Sequence, residues 1–154
     1  MLNVHELLRM SGTGDGFPIF MLPKVEILID EATARNVIAK YAEAWVTRNP
    51  EAILEVFTPD AVYQEWAFDP PFVGHEAIRE YWLRRVVGEQ SEIEFTLLDL
   101  YVDSNRNTVI AEWEAKFRIN NSAAKNIMKE VAILEFSNER ICHLREYWAN
   151  KPLT

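Results

Sequence analysis

The sequence predicts an α+β domain, with helices first and an antiparallel sheet after them. Three observations carry that reading. Apolar residues recur at three-to-four spacing in three segments between Asp30 and about Val86; from residue 92 the pattern changes to alternation; and the alternating runs are long, with short polar turns between them.

Asp30 is placed as the N-cap of a first helix ending near Thr47, with Ala34, Val37, Ile38, Tyr41, Ala42 and Trp45 on one face and Arg35, Lys40 and Glu43 elsewhere. Asn49 as cap and Pro50 at the first helical position announce a second helix, whose apolar side is Ile53, Leu54, Val56 and Phe57. Thr58-Pro59-Asp60 stops it. A short strand from Ala61 to Trp66 follows, then a turn stiffened by Pro70 and Pro71. A third helix, opened by Gly74 and running from Glu76 to about Val86, buries Ile78, Tyr81 or Trp82, and Val86, and Gly88 ends it.

The first long strand covers Glu94 to Val102. In the second, Val109, Ala111, Trp113, Ala115 and Phe117 point one way and Glu112, Glu114, Lys116 and Arg118 the other, so one face is core and one is wet. A hairpin at Asn120, Asn121 and Ser122 leads to a third strand, Asn126 to Phe136. A turn at Ser137-Asn138-Glu139 leads to a fourth, Arg140 to Ala149. On the third, Met128, Glu130, Ala132, Leu134 and Phe136 face inward; on the fourth, Cys142, Leu144, Glu146 and Trp148 do. Residues 1–24 carry only a weak pattern around the breaker-rich run Ser11 to Gly16. They read as a poorly ordered arm with a hydrophobic tip, and residues 25–154 as one domain.

At 154 residues, 49% hydrophobic, with five glycines and seven prolines, the chain has the material for a real core and is neither disordered nor fibrous. A net charge of −8 argues against a nucleic-acid partner, which needs clustered Lys and Arg. The lone Cys142 forms no internal disulfide, and no apolar run is long enough for a membrane span, so the expected compartment is the cytoplasm. His5, His75 and His143 form no pair with metal-ligand spacing, and there is no phosphate loop or nucleophile elbow; no metal and no cofactor are expected.

The residue that asks for an explanation is Glu65, a carboxylate set among Val62, Tyr63, Trp66 and Phe68. An acid in such company is either a pocket group or a solvated residue near a rim.

The run NPEAILEVFTPDAVY, the helix start GHEAIREYW and the closing REYW at Arg145 to Trp148 resemble the nuclear transport factor 2-like superfamily, in its SnoaL-like and ketosteroid-isomerase-like branch. The resemblance covers about residues 30 to 150. It implies a cystatin-like cone: a curved antiparallel sheet wrapped around three helices, an apolar pocket open at one end, and a homodimer packed through the outer face of the sheet. It also implies a catalytic tyrosine at Tyr41 and a base at Glu65, where the family has aspartate. The family's protonated aspartic acid falls on Ala132, so one oxyanion donor is missing and a faithful ketosteroid isomerase is not expected.

The inward register adds Glu130 and Glu146 as pocket acids. Where carboxylates share an apolar cavity, burial and repulsion keep one protonated as a donor while another serves as base. The expected catalytic residues are therefore Glu65, Tyr41 and Glu146. The expected pocket is Trp45, Phe57, Trp82, Trp113, Phe117, Glu130, Ala132, Leu144 and Trp148. The function expected is binding of a small, largely apolar organic molecule, with cofactor-free acid–base chemistry next to a carbonyl, as isomerase, dehydratase or cyclase. The alternative is a non-catalytic ligand-binding or protein-interaction module of the same fold.

Overall fold

The computed structural model describes residues 25–120 and 122–153. The predicted arm, residues 1–24, lies outside them. Three α-helices, α1 (Glu31–Thr47), α2 (Pro50–Val56) and α3 (Gly74–Trp82), precede and interleave with the sheet. Its strands are β1 (Phe57–Gln64), β2 (Phe72–Val73), β3 (Gln90–Asp103), β4 (Thr108–Ile119), β5 (Lys125–Ser137) and β6 (Arg140–Pro152), in spatial order β2-β1-β6-β5-β4-β3. The sheet is open, with α1 packed on β3 and α3 on β1.

The helix boundaries follow from their caps. Asp30 Oδ1 accepts the Thr33 amide at 2.7 Å, and Asn49 Oδ1 accepts the amides of Glu51 and Ala52 at 3.0 and 3.1 Å. Each satisfies donors that a helix start otherwise leaves orphaned. Only Arg48, in the left-handed region at φ 54°, separates α1 from the α2 cap. At the start of α3 the chain needs φ +82°, which glycine adopts without strain and Gly74 supplies.

β3 to β6 form the predicted antiparallel meander, with Val109, Ala111, Trp113, Ala115 and Phe117 all buried. Four details differ from the sequence reading. β1 starts at Phe57 and ends at Gln64, so Phe57 belongs to the sheet and Glu65 lies just past the strand. β1 runs parallel to β6, which makes the sheet mixed, and the segment after the proline turn adds the two-residue β2. Beyond Trp82 the third helix continues as a π-helical turn, Leu83–Val87, in which Gly88 N donates to Leu83 O at 3.0 Å. As part of this third difference, Tyr81 and Trp82 of the same helix are both buried, where one of the two was expected.

The fourth difference concerns Cys142. A bulge between Glu135 and Phe136 pairs Phe136 with Ile141 and Glu135 with His143. Ile141 thereby takes the inward position, and Cys142 is left half-buried with its thiol 3.4 Å from Glu135 O. A bulge inserts one unpaired residue and shifts the facing pattern before it, which strict alternation cannot anticipate.

Between α1 and the sheet the core is aromatic. Tyr41 sits at its centre, with ring centroids 5.5 Å from Trp113, 5.8 Å from Trp82, 6.4 Å from Trp45 and 6.5 Å from Phe57. Edge-on and tilted contacts of this kind add to the area they bury. Gly88 closes the π-turn so tightly that a Cβ there meets the Arg84 carbonyl oxygen at 2.6 Å. Gly88→Ala is expected to lower stability by about 1–3 kcal/mol, as overpacking against backbone does. A denaturant titration of the variant checks it, and an unchanged midpoint refutes it.

Candidate functional site

The open sheet and its helices enclose a cavity of about 70 Å³. Its walls come from every layer. α1 supplies Tyr41 and Trp45; the end of β1 supplies Tyr63 and Glu65; α3 supplies Tyr81 and Trp82; and the π-turn supplies Arg85 and Val86. Phe117 and Ile119 come from β4, Met128 and Glu130 from β5, and Glu146, Trp148 and Asn150 from β6. The half-exposed Arg85, Glu89 and Gln90 and the exposed Ile119 and Asn150 mark its mouth.

The register explains why the acids converge. Ala132 pairs with Glu146, Glu130 with Trp148, and Trp113 with Glu130, and cross-strand partners share a face. Three carboxyls therefore meet in one place, with Glu65, Glu130 and Glu146 only 8, 3 and 5% exposed. Glu146 is the best held of them. Both Tyr41 Oη and Tyr63 Oη donate to its Oε1, each at 2.9 Å. The two phenol oxygens are 3.2 Å apart, but each has one proton and both protons go to Glu146.

Glu65 Oε2 and Glu130 Oε1, by contrast, are buried without a hydrogen-bond partner, as are the indole nitrogens of Trp82 and Trp113. Such atoms normally find partners, and leaving one unpaired costs about 1–3 kcal/mol. At the mouth, Trp45 Nε1 donates to Gln90 Oε1 at 2.8 Å and Arg85 Nη1 to Glu89 Oε2 at 2.7 Å. The Arg85 guanidinium also lies 5.8 Å from the Trp66 ring centre.

Burial dominates the protonation of these groups. It pushes the Glu130 carboxyl up to about 8, with the Glu65 charge adding to the rise and the neighbouring Trp113 indole opposing it. Burial also holds Glu146 well above the usual carboxylate range, reinforced by the charges of Glu130 and then Glu65. Tyr41, Tyr63 and Tyr81 are raised for the same first reason, with Glu146 the next cause for Tyr41 and Tyr63 and Glu65 for Tyr81. Both shifts favour the protonated carboxyl, and Glu130, at about 8, keeps its proton at neutral pH. The phenols both use Oε1 of Glu146, which leaves Oε2 as the oxygen free to carry a proton.

Of the residues picked out from sequence, Tyr41, Glu65, Glu146, Trp45, Trp82, Phe117, Glu130 and Trp148 line the cavity. Phe57, Trp113, Ala132 and Leu144 do not; all four are buried in the core behind it. The Tyr41 ring stands against Phe57 and Trp113, Glu146 is the cross-strand partner of Ala132, and Leu144 pairs with Tyr63. Sequence reasoning missed Tyr63, Tyr81, Arg85 and Gln90 as lining groups. Tyr63 was detectable, because it lies two residues from Glu65 and so on the same side of an extended chain. Arg85 was not, because its direction is set by the π-turn.

Among the described residues, no group of three or more His, Cys, Asp or Glu is arranged to hold a metal ion, and no helix is long and apolar enough to cross a membrane.

Solved structures share this fold at low identity. A Bacillus subtilis protein described only provisionally as an isomerase aligns with a TM-score of 0.70 at 20% identity, over 79% of this chain and 90% of that one. The epoxide hydrolase/cyclase-like enzyme SalBIII, of pyran ring formation in the polyether salinomycin, aligns with a TM-score of 0.69 at 19% identity, over 80% and 98%. A ketosteroid isomerase-like protein from Catenulispora acidiphila, solved with trimethylamine, gives 0.64 at 21%, over 72% and 83%. No curated protein matches the chain. The family model for the SnoaL-like domain matches residues 38–144, from the middle of α1 into β6, and the chain belongs to that family.

Proposed function

We propose that this chain is a cofactor-free acid–base enzyme that relocates a proton on a small organic molecule next to a carbonyl, as an isomerase, dehydratase or cyclase does. The observation that carries the reading is the convergence of three buried carboxyls on one cavity, two of them pushed toward the protonated form by burial. A site of this kind runs acid and base chemistry together when its carboxyls differ in protonation.

In this reading Glu65, at the free end of β1, takes the proton. The Oε2–H of Glu146 donates to the oxygen on which negative charge develops. Tyr41, expected from the family resemblance to act as the oxyanion donor itself, gives its proton to Glu146 and acts with Tyr63 as a positioning residue. The acid that is missing at Ala132 is thus replaced from the facing position on the next strand.

A non-catalytic module is the weaker reading, because binding alone does not call for carboxyls whose protonation is driven apart from the ordinary range, as burial does for Glu130 and Glu146. A homodimer remains part of the proposal. Tyr101, Ile110, Val131 and Tyr147 are exposed, and their strand register puts them on the outer side of the sheet.

The test is a screen of small carbonyl compounds with the wild type and Glu65→Gln, the amines suggested by the trimethylamine-bound neighbour included. Turnover lost in the variant while ligand binding survives is the expected result; unchanged turnover overturns the assignment.

A further inference from the structure

The walls of this cavity discriminate among ligands by charge. Three carboxyls face it from three elements, and two of their oxygens, Glu65 Oε2 and Glu130 Oε1, are buried acceptors that lack a donor. Among the described residues, the one basic group in the lining is Arg85, and it is already engaged by Glu89 and by the face of Trp66. An anion placed here meets carboxyls and no free cation. A neutral molecule fills the space without compensating developing charge on the carboxyls. A cation with an N–H supplies the missing donor and the missing charge together.

The remaining wall is aromatic, from Trp45, Trp82, Trp148 and Tyr81. Rings of this kind attract alkylammonium groups through their electron-rich faces. Size narrows the choice further. An apolar cavity of about 150 Å³ takes the six heavy atoms of benzene, so one of about 70 Å³ accepts roughly three heavy atoms in its interior, and the open mouth leaves room for one or two more.

We propose that the group this cavity takes is a small organic ammonium ion, whose N–H satisfies the orphaned carboxyl oxygens and whose alkyl part lies against the indoles and the phenol. The inference deepens the acid–base reading, on which it rests for the choice of this cavity, by naming the substrate class: a carbonyl compound that carries a protonated amine. The groups facing the bound cation are Glu65, Glu130, Glu146, Tyr41, Tyr63, Tyr81, Arg85 and, at the mouth, Glu89. A cation among them favours the ionised carboxyls, so binding strengthens as pH rises and releases protons.

The experiment uses the full chain in calorimetric titrations with three probes of similar size: trimethylammonium, tert-butanol and acetate. Trimethylammonium is expected to bind at least about tenfold more tightly than tert-butanol, with acetate silent, as opposite charges in a partly desolvated site require. Its affinity is expected to rise between about pH 6 and pH 8, with a heat that depends on the buffer's ionisation enthalpy. Glu130→Gln, an isostere of the neutral acid, is expected to weaken trimethylammonium by about tenfold and leave tert-butanol unchanged.

Equal binding of the cation and the alcohol, preference for acetate, no binding of any probe at millimolar concentration, or an unaffected Glu130→Gln variant overturns the inference. The two readings fail separately. Turnover of a neutral carbonyl compound that depends on Glu65, without trimethylammonium binding, removes this one alone. Trimethylammonium binding with turnover indifferent to Glu65→Gln removes only the acid–base assignment.

Discussion

Replacing Glu146 by glutamine is expected to lower turnover by about 10²–10³-fold and leave the fold intact, whereas replacing it by alanine is expected to cost about 3–5 kcal/mol of stability as well. The two substitutions separate the roles of one side chain. Glutamine keeps a carbonyl oxygen where Oε1 accepts Tyr41 and Tyr63, so the buried phenols retain their partner. What it lacks is the acidic proton on the other atom. Alanine removes the acceptor and leaves two phenol hydroxyls unpaired beside an unfilled space. Thermal melts and single-turnover rates measure the two effects. Full activity in Glu146→Gln refutes the proton donation, and an unaltered melt in Glu146→Ala refutes the structural role.

The second large effect is on the pH dependence of stability. The Glu130 carboxyl stands at about 8 in the folded chain against about 4.5 for an ordinary glutamate, because burial disfavours its charge. Below about 4.5 both states are protonated and the group contributes no pH dependence. Between the two values the folded state holds a proton that the unfolded state has lost, so stability falls as pH rises, by up to about 1.4 kcal/mol per pH unit for each such proton. Above about 8 the loss from this group is complete. Glu146, also raised by burial, acts in the same direction.

Urea titrations at pH 5, 6, 7 and 8 are therefore expected to show stability declining throughout. In Glu130→Gln the decline is expected to be shallower, both because one titrating group is gone and because its charge no longer holds Glu146 up. The variant then matches the wild type at pH 5 and exceeds it at pH 8. A flat wild-type profile, or equal slopes in the two proteins, refutes the account.

The fold was legible where a single periodicity decided each element. Alternation in β4 gave its buried face, and the Asn49-Pro50 pair gave the start of α2, since both depend on interactions within a few residues. The inward acids Glu130 and Glu146 were legible for the same reason. What stayed hidden depends on partners far along the chain or on departures from regular geometry. The parallel pairing of β1 with β6 has no local signature. The bulge that turned Cys142 aside, and the π-turn that brought Arg85 to the mouth, each break the period on which the reading relied. Depth was illegible too: Trp113 and Leu144 share the inward face with Glu130 and Glu146, and only packing decides which side chain reaches the open space.

The parallel pairing of β1 with β6 also makes the cavity depend on contacts between distant segments. Phe57 pairs with Ile141 and Tyr63 with Leu144, so β1 finds its main partner about eighty residues further along the chain. Contacts between such distant segments carry a high loop-closure cost and form slowly. The hairpin β3–β4 needs none of them, whereas the acidic cavity exists only once β1 lies beside β6 and Glu146 meets Tyr41 and Tyr63.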